Sequence, residues 1–122
     1  MIMDFYPRSL KRDWYMADVC DSIHASLEGT KQWTKYYYEN ECERNAYIDM
    51  FEQCQALVKE HDMKPKAMLQ ALSDLHTEVT TFHVVYPFFS LGRWVYKPNE
   101  AREQAVIIAF KLVDGISSRF LP

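Results

Sequence analysis

Three cysteines and four histidines carry most of the chemistry this chain could offer. Read at helical spacing, His24, His76 and His83 fall on apolar, inward-facing stripes. Asp21 and His24, at i and i+3, could share a metal ion, with His76 or His83 as a further ligand. His76 and His83 are two turns apart, about 10.5 Å along a helix axis, too far to chelate one ion together. A di-iron bundle needs two Glu-x-x-His pairs, and neither that motif nor His-Glu-x-x-His occurs. Buried histidines bonded to a carbonyl or carboxylate need no metal, so no cofactor is expected.

Cys20 and His24, at i and i+4, could touch on one helix. A thiol on a core-facing stripe has no route to a substrate, and buried cysteine ordinarily behaves as a small hydrophobe. Cys42 and Cys54 have no better partner. No P-loop, dinucleotide glycine motif or Gly-x-Ser-x-Gly elbow is present. Nor does a histidine follow Arg44 or Arg93 at the spacing found in small helical RNases. The expectation is a protein that is not an enzyme.

A different constellation stands out at "YYYENECERN", residues 36–45. Tyr36, Tyr37 and Tyr38 adjoin Glu39, Glu41 and Glu43, with Asp49 further on. Residues 39–62 hold seven carboxylates against Arg44 and Lys59, whereas the rest of the chain is slightly basic. Such a field repels phosphate and attracts a basic protein. Tyrosine supplies large contact area at low entropic cost. This set is the expected partner-binding site. The short basic clusters Arg8/Lys11/Arg12 and Lys64/Lys66 are too small for a nucleic-acid stripe.

Four apolar stripes run at helical period along the chain. The first is Trp14, Met16, Ala17, Cys20, Ile23, His24 and Leu27, with Ser9 as expected N-cap and Gly29 as expected stop. The second runs from Tyr47 through Met50, Phe51, Cys54, Leu57 and Val58 to His61. Projected backwards it becomes polar, so residues 36–45 either end a separate helix or extend beyond the core. The outward line of that projection carries Tyr38, Glu41, Cys42, Asn45, Asp49 and Glu52.

The third stripe runs from Met68 to Tyr86, with Pro65 suited to a first turn and Pro87 marking the end. The fourth covers Ala101 to Ile116, with Asn99 as expected N-cap. Only three glycines leave little room for the tight turns of a β-sandwich. The prediction is an all-α, single-domain antiparallel bundle of four to five helices over 1–122. Residues 82–98 leave room for a short hairpin or irregular segment.

That segment includes the aromatic stretch 84–98. Phe88, Phe89, Trp94 and Tyr96 either cap the bundle end or form an alternative interface, joining a homodimer or larger assembly. The longest stretch without formal charge, Val79–Gly92, is short of a membrane span. An odd number of cysteines, no CxxC and no apolar leader-like run predict a cytoplasmic protein with free thiols.

In composition the chain is similar to bacterial immunity proteins, small acidic helical proteins that neutralise nuclease toxins. The likeness covers no motif. It implies a non-enzymatic inhibitor that occludes a basic toxin or nuclease domain. A structural homodimer through 84–98 is the alternative, and a metal-dependent helical-bundle enzyme is a third.

Overall fold

The computed structural model describes the backbone of residues 8–85 and 93–120, and side chains over 15–81 and 99–119. All the described secondary structure is helical: α1 (Arg8–Tyr37), α2 (Glu41–Glu60), α3 (Pro65–Val85) and α4 (Arg93–Phe120). The short links 38–40 and 61–64 reverse the chain between packed helices. No described helix is long and apolar enough to cross a membrane. Residues 82–85 and 93–98 are helical and not a hairpin; 86–92 lie outside the described residues.

α2 and α4 form the most closely packed pair, with α1 and α3 on either side of it. The reason is side-chain size. α4 turns Ala101, Ala105 and Ala109 inward at every fourth position, followed by Val113. Alanines let the backbones approach, and ridges of larger residues on the partner fill the space. α2 supplies those residues: Tyr47, Met50, Phe51, Cys54 and Val58 are all buried, as the second stripe predicts. α1 adds Val19, Cys20, Ile23 and Leu27, and α3 adds Met68 and Leu72.

Three helix boundaries differ from the sequence expectation. α1 begins at Arg8, so Ser9 lies inside the helix and does not cap it. Gly29 is also interior, for α1 continues two further turns to Tyr37. Thr34 explains the extension. Its side chain is 1% exposed, and its hydroxyl donates back to the Thr30 carbonyl at 2.8 Å. Thr30 does the same to Ser26, also at 2.8 Å. Satisfied in this way, threonine packs as an apolar residue and carries the stripe past the glycine.

The third difference is at α4, which begins at Arg93 and contains both Pro98 and Asn99. Asn99 is therefore no N-cap. Pro98 stands within the second turn, past the positions whose N–H groups have no intrahelical partner, so it removes one bond from the helix ladder. Pro65, by contrast, opens α3 as the sequence suggests.

Candidate functional site

The end of α1 and the start of α2 are held by local hydrogen bonds. Asn40 caps α2: its Oδ1 accepts from the Glu43 N–H at 2.9 Å. Arg44 donates from Nη1 to the Tyr38 carbonyl at 3.4 Å, occupying an acceptor left over at the end of α1. Glu41 and Glu43 lie in the first turn of α2, where negative charge meets the positive end of the helix dipole. Two of the acids in the tyrosine–glutamate run therefore have a folding reason as well as an electrostatic one.

The three tyrosines part company here. Tyr36 is 88% exposed and Tyr37 60%. Tyr38 is half-buried and turns inward, stacking on Tyr47 with ring centroids 4.4 Å apart. The outward line that sequence phase assigns to Tyr38 does not hold, because the residue sits in the link and not on α2. Tyr38 also meets the edge of Tyr37, which stacks in turn on Trp33 at 4.2 Å. Tyr47 continues the series to Phe51. The result is an aromatic ladder from the exposed Trp33 to the fully buried Phe51.

Trp33 is 54% exposed. With Tyr36 and Tyr37 it occupies i, i+3 and i+4 on the last turns of α1, one continuous aromatic surface. Sequence reasoning missed Trp33 as a site residue. The signal was the Trp33–Tyr36–Tyr37 spacing itself, concealed by the expected stop at Gly29.

Of the predicted acids, Glu39, Glu41 and Asp49 are exposed and Glu43 is half-buried. None of the four forms an ion pair among the described residues. Glu39 and Glu41 adjoin the aromatic surface in sequence. Asp49 falls on a different line of α2, with Gln53, Ala56 and Glu60, on the side facing α3. The seven predicted residues thus divide: Tyr36, Tyr37, Glu39 and Glu41 remain a surface set, Tyr38 and Glu43 serve the fold, and Asp49 stands apart. Phe88 and Phe89 lie outside the described residues. Trp94 and Tyr96 belong to the opening turns of α4, but their side chains lie outside the described ones.

The histidine and cysteine candidates resolve differently from their spacing. His24 does not pair with Asp21; its Nε2 lies 3.4 Å from Asp62 Oδ1 in the α2–α3 link. His76 Nε2 is 3.8 Å from Glu103 Oε1, across the α3–α4 interface, with Ser73 and Lys111 beside it in a shallow cleft. The side chain of His83 lies outside the described ones. Among the described residues no group of three or more His, Cys, Asp or Glu could hold a metal ion.

All three thiols are free, Cys42 exposed and Cys20 and Cys54 buried. Burial pushes the Cys54 thiol from 9.0 up to about 12. Burial also raises the Cys20 thiol, opposed by a backbone hydrogen bond from Met63 and reinforced by the Asp62 carboxylate. The Cys20–His24–Asp62 neighbourhood therefore disfavours a thiolate, the opposite of what a nucleophile needs.

No protein-family model, curated protein or solved structure matches this chain.

Proposed function

We propose that the protein is a non-enzymatic binding module that engages a basic protein through Trp33, Tyr36 and Tyr37, with Glu39 and Glu41 beside them. The observation that carries this reading is the exposure of three adjacent aromatic rings on the last turns of α1. Large aromatics clustered on a surface, and next to carboxylates without cationic partners, are the composition of a binding hot spot. Tyrosine and tryptophan faces also attract Lys and Arg directly.

The action is occlusion. Aromatic rings anchor in a groove of the partner while Glu39 and Glu41 occupy the positions of its anionic substrate. An inhibitor of a toxin or nuclease domain works in this way, as the immunity-type composition suggests. Free thiols in both core and surface positions fit a cytoplasmic setting.

The test is photo-crosslinking in the native cell. A photoreactive amino acid replaces Tyr36, with Lys111 on α4 as the control position. The expected product is a single basic protein captured from position 36 and not from 111. With that protein purified, Tyr36→Ala/Tyr37→Ala should weaken the complex by about 2 kcal/mol or more. Raising salt from low to physiological ionic strength should slow association. Equal capture from both positions, or an acidic partner, would sink the reading.

A further inference from the structure

α2 and α3 follow one another through a short turn, yet of the packed helix pairs they touch least. α4 packs against both and wedges them apart. What remains is a trough on the surface between them. Two clefts, ≈ 440 Å³ and ≈ 270 Å³, share Gln53, Leu75 and Glu78 and so form one channel running from the Glu60 end towards α4. Ala56 and Ala71 line it and leave its width unfilled. Leu57 and Leu75 are half-buried in its floor, still presenting apolar surface to water.

The rim is acidic. Glu60, Asp74 and Glu78 line the larger cleft, with no Lys or Arg among its lining residues. Glu60 and Glu78 are in no ion pair among the described residues, and Asp74 accepts only the Gln70 amide, at 2.9 Å. Asp49 continues the acidic line along α2. Arg102 enters only at the α4 end, in the smaller cleft.

We infer that this trough is a docking site for a basic amphipathic helix of a partner protein. An apolar floor calls for apolar anchors, which excludes a nucleic-acid backbone, and the carboxylate rim repels phosphate as well. Gln53–Glu60 and Ala71–Glu78 each span about 10 Å, two helical turns, matching anchors at i, i+3 or i+4, and i+7 of a guest helix. An extended peptide would need a sheet edge, and none exists among the described residues. Lys and Arg flanking the guest's apolar stripe would meet Glu60, Asp74 and Glu78. The site is separate from the aromatic surface on α1 and stands or falls without it.

The experiment titrates the isotopically labelled full chain with a 14-residue Leu/Lys amphipathic helix and, separately, with its Leu/Glu counterpart. The Leu/Lys peptide should shift the amide resonances of Gln53, Leu57, Leu75 and Glu78 saturably, and the Leu/Glu peptide should not. Glu60→Lys/Glu78→Lys, both exposed, should lower affinity at least tenfold with the melting curve unchanged. Ala56→Trp, which fills the trough, should abolish binding. The inference is overturned if both peptides bind alike, if the shifts map only to Trp33, Tyr36 and Tyr37, or if Ala56→Trp binds normally. It is equally overturned if the chain self-associates through these same residues, for the occupant is then a second copy.

Discussion

Tyr38 stacks on Tyr47 with the ring planes 17° apart, and this contact joins the exposed aromatics of α1 to the buried core of α2. Tyr47 is only 7% exposed. Burial, then the adjacent Tyr38 hydroxyl, holds its phenol well above the ordinary tyrosine value. Neighbours in sequence thus have opposite duties: Tyr36 faces water, and Tyr38 closes the core.

Substitution separates those duties. Tyr38→Ala should destabilise the fold by about 2 kcal/mol, through lost burial and lost stacking. Tyr36→Ala should change stability by less than about 0.5 kcal/mol, as exposed positions do. Urea unfolding followed by circular dichroism measures both. Equal losses would mean that Tyr36 packs on the core after all, leaving the aromatic surface without its most exposed member.

Much of the fold is legible because the stripes on α2 and α4 use residues whose polarity matches their burial. Phe51, Cys54 and Val58 could hardly face water, and Ala101, Ala105 and Ala109 mark their face by spacing. The end of α1 is less legible because Thr34 carries its own hydroxyl partner within the helix, so a polar letter conceals a buried side chain. The surface site suffers in turn: with α1 cut at Gly29, Trp33 has no helical relation to Tyr36 and Tyr37. Helical phase projected back from α2 puts Asp49 on one line with Tyr38, but the helix is interrupted at 38–40, so that line never reaches the tyrosines and Asp49 lies on the α3 side. The α2–α3 trough stays open because α4 packs against both helices, which no local pattern records.

The thiols report on the same core. At mildly alkaline pH a thiol reagent should label Cys42 rapidly, with Cys20 and Cys54 reacting only as the chain opens. Cys54 is 0% exposed, and its thiol titrates at about 12 in the fold against 9.0 when free. A raised value means the folded state holds the proton more tightly. Its contribution to stability is complete below pH 9 and is lost as pH climbs towards 12. Tyr47 acts in the same direction. Stability measured across this range should fall on the alkaline side, and Cys54→Ala should flatten the fall while lowering stability at neutral pH. A Cys54 labelled as fast as Cys42 would contradict the packing.

Glu28 offers the acid-side counterpart. Its carboxylate accepts from Gln32 at 2.9 Å and from Gln55 of α2 at 2.6 Å, with the Lys31 ammonium at 3.1 Å. These bonds, Gln32 first, lower its value from 4.5 to about 2. Folding here favours the charged form, so the contribution is present above the free carboxylate value and disappears as pH falls towards 2. The Glu28 side chain is about half exposed, so water screens these contacts. A carbon-detected titration should show Glu28 protonating well below the free glutamate value of 4.5. Gln55→Ala should move its midpoint upward; a midpoint that stays put would mean the link to α2 is not formed in solution.

Gly29 provides the last test, because the helix that runs through it is the feature the sequence hid. A methyl group at this position meets nothing within 4 Å, and the backbone is not in a conformation reserved for glycine. Glycine in a helix interior costs about 0.5–1 kcal/mol relative to alanine, so Gly29→Ala should raise stability by about that amount. Gly29→Pro, which removes an N–H and collides with the preceding turn, should cost about 3 kcal/mol or more. The extension to Tyr37 should loosen with it, and Trp33 fluorescence should change in the proline variant but not in the alanine one. Were α1 to end at Gly29 in solution, proline would be tolerated there and alanine would bring no gain. The Trp33–Tyr37 stack would then lose the helix that aligns it, and the aromatic surface would not exist as one piece.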